Sequence, residues 1–214
     1  MITYLPPSGQ RFPAGLQKIF LWRSLLIHSI MALSFYPRDA PILYGMRFVM
    51  MNTVFESENI LYVNPSFDLI PDYLEMVNDI EHVARFIGER REPYTEEEER
   101  AYMQSKLDQH ATMFSMLEKS SHQFIGNIEF MNRKGDEAEW GIVMTHKMQN
   151  RGYGTEALRR SVEYGLRDLG LRRIYLGVYA DNPRAIHVYE KCGFKEYDRN
   201  DVDVFMEITK DSDD

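Results

Sequence analysis

Apolar and polar positions fall into a regular pattern only after Met51; the 50 residues before it show no sustained period. Asn59 to Val63 (NILYV) reads as a first strand. Pro71 then stands near the start of an amphipathic helix, with Leu74, Met76 and Val77 available to pack and Ile80, Val83 and Phe86 extending it. In PYTEEEERAYMQSKL, Thr95 and Glu98 have the spacing of a capping box, and the acidic run from Glu96 to Glu99 suits the solvated start of a second helix. Met113 to Leu117 and Phe124 to Phe130 flank the polar turn Glu118-Lys119-Ser120-Ser121 and predict a hairpin; a further turn around Gly135 leads into Ala138 to Met144. Four strands thus precede a pair of glycines at 152 and 154. Beyond them Leu158, Val162, Tyr164, Leu166 and Leu169 predict a helix of about four turns, stopped near Gly170, and Ile174 to Tyr179 reads as a buried strand. Asn182-Pro183 starts another helix, with Ala185, Val188, Tyr189 and Cys192 on one face and Gly193 as its stop. Phe194 to Tyr197 and Val202 to Ile208 close the sheet as a hairpin, giving an α+β chain with a mixed central sheet of about seven strands and one crossover around the glycine turn.

Composition narrows the picture little, but charge distribution adds to it. At 214 residues and 44% hydrophobic the chain can bury one medium-sized core. Residues 1 to 50 carry Arg11, Lys18, Arg23, Arg38 and Arg47 against Asp39 alone, so of a net −8 the remainder holds −12. An acidic body repels nucleic acid phosphates and favours cationic small molecules or peptides, so direct nucleic acid binding is not expected. The apolar stretch from Ser24 to Phe35 is too short to span a bilayer and gives no membrane segment. Three readings of residues 1–50 stand open: a signal peptide, an ordered extra arm, or a non-native extension ahead of a domain covering 51–214. The lone Cys192 excludes an internal disulfide, no Cys/His cluster has zinc spacing, and the cytoplasm is the default compartment.

The stretch QNRGYGTEALRR, residues 149–160, sets Gly152 and Gly154 just ahead of a helical run. Amides at a helix N-terminus point outward with partial positive charge, so this turn suits an anion such as a pyrophosphate. A turn whose glycines only permit a helix cap explains the stretch as well. GYGTEA also satisfies G-x-G-x-x-A, yet a dinucleotide-binding turn follows its strand at once and meets an acid about 20 residues later. Here Thr145 to Arg151 intervene, and RRIYLG occupies the later position. A nicotinamide cofactor is disfavoured on that context, and no G-x-x-x-x-G-K-[ST] is present.

Gln149, Gly152 and Gly154 resemble the Q/R-x-x-G-x-G/A pyrophosphate loop of the GNAT acetyltransferases, and AEWGIVM before them looks like that family's fourth strand. DNPRAIHVYEKCGF, residues 181–194, is similar to the family's N-x-x-A-x-x-x-Y-x-x-x-G-F segment through Asn182, Ala185, Tyr189, Gly193 and Phe194. The likeness runs from about residue 55 to 208 and is of the RimJ/RimL type, whose members acetylate protein N-termini or small amines. It implies a GNAT fold and an N-acetyltransferase using acetyl-CoA as co-substrate, without a metal. It further implies that the pantetheine lies along Val143 and Met144, and that the pyrophosphate rests on the amides of Arg151, Gly152, Tyr153, Gly154 and Thr155. Gln149 and Arg151 add hydrogen bonds, Asn182 contacts the pantetheine, and the side chains of Asn150 and Tyr153 are free to vary.

Most amines are protonated at neutral pH, so the attacking group needs a base or a water chain. Glu139 is the candidate, on one strand face with Gly141 and Val143, and Glu137 is second choice. Tyr189 matches the family's tyrosine and is the candidate acid for the departing thiolate. Each has a bland reading: an ion-paired carboxylate, a core aromatic, a helix cap for Asn182. His187 falls on a polar helix face, Cys192 beside a helix stop, and His146 between strand and loop. The resemblance places the acceptor groove between Glu89 to Tyr94 and Tyr197 to Asp203, where Asp198, Asp201 and Asp203 favour a cationic acceptor, small molecule or peptide N-terminus. A homodimer is the expected assembly if one forms, and an acyl-CoA-binding sensor without turnover is the alternative.

Overall fold

In the computed structural model, residues 52–84 and 92–210 are described. Eight strands form one sheet: β1 (Thr53–Glu56), β2 (Ile60–Val63), β3 (Thr112–Glu118), β4 (Phe124–Lys134), β5 (Glu137–Met144), β6 (Arg173–Tyr179), β7 (Lys195–Arg199) and β8 (Asp203–Thr209). Their spatial order is β1-β2-β3-β4-β5-β6-β8-β7. All neighbours are antiparallel except β5 and β6, which are parallel because a helix carries the chain between them. The described residues also hold four α-helices, α1 (Ile70–Val77), α2 (Glu96–Asp108), α3 (Tyr153–Arg167) and α4 (Pro183–Lys191), and two short 3-10 helices, Phe67–Leu69 and His146–Met148.

Local chemistry sets the helix ends. The Thr95 hydroxyl accepts from the Glu98 amide at 3.2 Å while the Glu98 carboxylate accepts from the Thr95 amide at 2.8 Å, the reciprocal box that starts α2. Asn182 accepts from the Ala185 amide at 3.1 Å, with Pro183 as the first residue of α4. Helix α1 ends at Val77 rather than running on: Val83 is buried from the following loop, Ile80 is half exposed, and Phe86 lies outside the described residues. The alternation of β6 buries Ile174, Leu176 and Val178 and turns Tyr175, Gly177 and Tyr179 to the other face, so the strand is covered on one side. The sheet has one strand more than the seven expected, because TVFE is too short to show a period and only Phe55 of it is buried. Phe55 stacks between Tyr62 and Tyr164 at 4.2 and 4.1 Å between ring centroids, which ties β1 to α3. The apolar core runs between the sheet and α3, and residues 1–50 lie outside the described residues.

Two contacts shape the middle of the sheet. Arg173, at the start of β6, donates to Glu207 of β8 at 2.6 Å and to Glu137 of β5 at 2.8 Å, with its guanidinium 4.9 Å from the ring centres of Tyr175 and Tyr197. Burial works against its charge, but the two carboxylates outweigh it and hold the guanidinium above its ordinary range. Gly126 of β4 lies opposite Met144 so closely that a Cβ would stand 2.0 Å from the Val143 carbonyl oxygen. Since that atom is backbone, it cannot swing aside. Gly126→Ala is therefore expected to cost about 3 kcal/mol of stability in a denaturant titration, and a change below about 0.5 kcal/mol would show that β5 yields freely.

Candidate functional site

Strands β5 and β6 pair only at Glu137 with Arg173, Ala138 with Ile174 and Glu139 with Tyr175. Beyond that point β5 keeps β4 as far as Met144, and β6 keeps β8 as far as Tyr179, so the two strands part and leave a wedge. Backbone donors and acceptors along its edges have no ladder partner across the gap and need a ligand or water. The first residue of β5 past the fork is Trp140, 3% exposed, whose indole donates to the Ser161 hydroxyl of α3 at 2.8 Å and meets Tyr189 of α4 edge-to-face at 6.2 Å. Asn182, Ala185 and Tyr189 of α4 border the gap from one side.

Two cavities meet in this wedge. One, of about 770 Å³, lies between β5, α4 and the residues that start α3, including Gln149, Gly152, Gly154 and Thr155. The other, of about 540 Å³, is lined by Glu139, Gly141 and Val143 of β5, Gly177 and Tyr179 of β6, and Asp203 and Phe205 of β8. Trp140, Ile142, Met144 and Tyr189 border both. The arrangement brings together, through one opening, a helix N-terminus on one side and carboxylates on the other.

The turn leading into α3 owes its shape to two residues in the left-handed region, Asn150 at φ +64° and Gly152 at φ +90°. Gly152 is the N-cap, and its carbonyl accepts from the Glu156 amide at 3.1 Å. The amides that follow it have no intrahelical acceptor and carry the positive end of a helix of 15 residues. Gln149 turns back to donate from Nε2 to the Met144 carbonyl at 3.2 Å, closing the loop onto the end of β5. This geometry fits a pyrophosphate group: open amides, a helix dipole and no Cβ in the way.

The residues expected from sequence fall into distinct places. Met144, Gln149, Gly152, Gly154, Thr155, Asn182 and Tyr189 line the first cavity, as does Asn150, while Val143 lines the second. Arg151 is exposed and donates toward the Met148 sulfur, and the Tyr153 hydroxyl donates to Glu118. Glu139 sits at the fork itself, at the last paired position, where its carboxylate accepts from Asn132 Nδ2 at 2.7 Å. Glu137 is committed to Arg173. The Tyr189 hydroxyl makes no hydrogen bond among the described residues, and burial pushes it up to about 12, so it stays protonated across the neutral range. His187 is exposed, and Cys192 is half-buried against the core. Of the three acids in the last hairpin, only Asp203 borders the cavity; Asp198 accepts from the Arg199 amide instead, and residues 85–91 of the opposing loop are outside the described residues.

Three residues of the site carried no sequence signal. Asn132, held at φ +49° where the pairing of β4 and β5 is irregular, orients Glu139. His82 lies in the loop after α1, borders both cavities and stacks on His146 with ring centres 3.6 Å apart. His82 Nδ1 lies 3.0 Å from Asp79, whose carboxyl is held below its ordinary range by that imidazole against the opposing effect of burial. Among the described residues no cluster of His, Cys, Asp and Glu could hold a metal, and no helix is long and apolar enough to cross a membrane.

Comparison with known proteins bears on this geometry. The profile of the acetyltransferase (GNAT) domain matches residues 60–195. A spermidine N(1)-acetyltransferase of Vibrio cholerae is 32% identical over 108 residues, covering 49% of this chain and 62% of that protein. The chain thus spans about three fifths of the length of the first curated relatives it matches. Among solved structures, a GNAT-family acetyltransferase from Bacillus anthracis superposes with a TM-score of 0.64 at 23% identity, over 72% of this chain and 96% of that one. The Vibrio cholerae spermidine N-acetyltransferase in complex with CoA and spermine superposes at 0.62 and 22% identity, over 72% and 96%. At these identities the superpositions speak for the fold.

The two glycines of the turn should respond oppositely to alanine. Gly152→Ala forces a side chain into a left-handed conformation and should lower the melting temperature by roughly 3 °C, the equivalent of about 1 kcal/mol. Gly154 is inside the helix with Met144 Sδ 3.4 Å from an added Cβ, so Gly154→Ala should leave the melting temperature unchanged or raise it. Equal losses in both would mean that backbone conformation does not distinguish them.

Proposed function

The chain belongs to the GNAT acetyltransferase family, and on that premise we propose that it moves an acetyl group from acetyl-CoA to a primary amine of a small cationic acceptor, by direct attack in a ternary complex. The single observation that carries this reading is the meeting of two cavities in the β5–β6 wedge. A thioester threaded along the open edge of β5 presents its carbonyl carbon in the gap, within reach of an amine arriving from the far side. Bound acetyl-CoA supplies the activated acyl group; everything else is the work of side chains and backbone.

On the first side, the residues starting α3 receive the pyrophosphate through backbone amides and helix dipole, which leaves the side chain of Asn150 outside the required chemistry. Met144 and Val143 offer the open edge of β5 to the pantetheine, and Asn182 holds the N-terminus of α4 against it. On the second side, Glu139 stands at the fork with its carboxylate oriented by Asn132, placed to take the proton an ammonium must lose before it can attack. Tyr189 borders both cavities. A phenol at about 12 is a weaker acid than an alkyl thiol and so a poor source of a fully transferred proton for the departing thiolate, so Tyr189 acts chiefly as a hydrogen-bond donor that stabilises the sulfur.

A polyamine is favoured over a protein N-terminus as acceptor. Glu139 pairs with Tyr175 and Asp203 with Tyr179, four residues further along β6 and on the same face, so the two acids border the second cavity at separate levels of the sheet. An amine carrying a second cation at the far end of an aliphatic chain satisfies both, and Tyr179 and Phe205 line the intervening cavity with aromatic surface. Relatives named for spermidine acetylation support the same choice.

The test is thiol release from acetyl-CoA with spermidine, butylamine and a peptide bearing a free N-terminus as acceptors. The reading predicts turnover with spermidine at a kcat/KM at least tenfold above the other two; saturable acetyl-CoA binding without turnover on a wide amine panel would instead favour the sensor alternative. Tyr189→Phe should lower kcat about a hundredfold with the acetyl-CoA KM little changed and the melting temperature preserved, since the hydroxyl makes no hydrogen bond among the described residues.

A further inference from the structure

The first turn of α3 carries a carboxylate, Glu156, in a place where the charge of a pyrophosphate would oppose it. Its surroundings answer for it. Glu156 Oε1 accepts from the Ser57 hydroxyl at 2.6 Å and from the Asn59 amide at 2.7 Å, and Oε2 accepts from Asn59 Nδ2 at 3.1 Å. All three donors sit in the turn joining β1 and β2, far away in sequence. Burial opposes ionisation of this carboxyl, yet the donors outweigh it and hold it below the ordinary range.

The same turn of helix is fastened on another side. Tyr153 donates its hydroxyl to Glu118 at the end of β3. The two anchoring segments are themselves joined: the Lys119 amide donates to the Asn59 carbonyl at 2.8 Å, and Lys119 Nζ lies 3.1 Å from Glu56. The amides aimed at the anion belong to residues between and beside these fastenings, so their direction depends on them. A helix N-terminus that binds through unsatisfied amides selects its ligand only as sharply as those amides are fixed.

We propose that Glu156 is a positioning residue for the pyrophosphate turn, its carboxylate held by hydrogen bonds from Ser57 and Asn59 so that it anchors the first turn of α3. The inference rests on the acetyl-CoA reading above. It has an unusual sign. If Glu156 acted only as a nearby negative charge, removing that charge would strengthen CoA binding; as an anchor, its loss weakens binding.

The experiment measures CoA affinity by calorimetry for the full chain and for Glu156→Gln, Glu156→Ala and Ser57→Ala. In parallel it compares steady-state kinetics with acetyl-CoA and with S-acetylpantetheine, which has the thioester but no pyrophosphate. The unsubstituted chain must bind CoA; failure there overturns the acetyl-CoA reading and this inference with it. Glu156→Ala should weaken CoA binding about tenfold and raise the acetyl-CoA KM equally, with kcat within about twofold and the KM for S-acetylpantetheine unchanged. Glu156→Gln, which keeps part of the hydrogen bonding, should fall between, and Ser57→Ala should show a smaller loss of the same kind and serves if the Glu156 variants do not fold. Unchanged or tighter CoA binding in the folded variants overturns the proposal, and so does an equal loss with S-acetylpantetheine, which marks a general structural defect.

Discussion

Everything at the site follows from parallel pairing that stops after three residues. Had β5 and β6 stayed together past Glu139 and Tyr175, the sheet would be continuous, the two cavities would be separate grooves on opposite faces, and no atom on one side could reach the other. The closed end of the wedge is fixed by Arg173, which joins three strands through Glu137 and Glu207. The gap is bordered by α4 and, just past the fork, by Trp140, whose indole is held between α3 and α4 by Ser161 and Tyr189. Opening the sheet exposes backbone polar groups, and that exposure is the feature a ligand with amide groups of its own can complement.

The geometry also divides the labour between backbone and side chains. Contacts expected for the acetyl donor rely on amides of the α3 turn and the edge of β5, which any sequence supplies if the backbone is shaped correctly; glycine matters there because of Gly152 at φ +90° and Gly126 under the Val143 carbonyl. The contacts proposed for the acceptor rely on side chains, with Glu139 and Asp203 both lining the second cavity.

The sequence displayed what is encoded locally. The capping box at Thr95, the Asn182-Pro183 start, the glycine turn and the strands β3 to β6 each depend on residues a few positions apart, and each formed. Strand β1 escapes because four residues cannot show a period, and the helical spacing of Ile80 and Val83 misleads because Val83 is apolar for burial from a loop, not for a helix face. The parting of β5 from β6, the hold of Asn132 on Glu139 and the stacking of His82 on His146 join residues whose proximity exists only after folding. Spacing marked the motif residues, but it could not reveal that the Tyr153 side chain reaches Glu118 while Asn150 borders the cavity.

The most direct measurement of the central claim is amide hydrogen exchange of the full chain with and without saturating acetyl-CoA, read by peptide. An open β5 edge that accepts the pantetheine, next to a turn that accepts the pyrophosphate, predicts added protection concentrated in residues 140–144 and 151–155 and little change in β1 to β3. Binding that leaves those two segments unprotected, or protects a different part of the sheet, would contradict the wedge as the place where the acetyl donor lies.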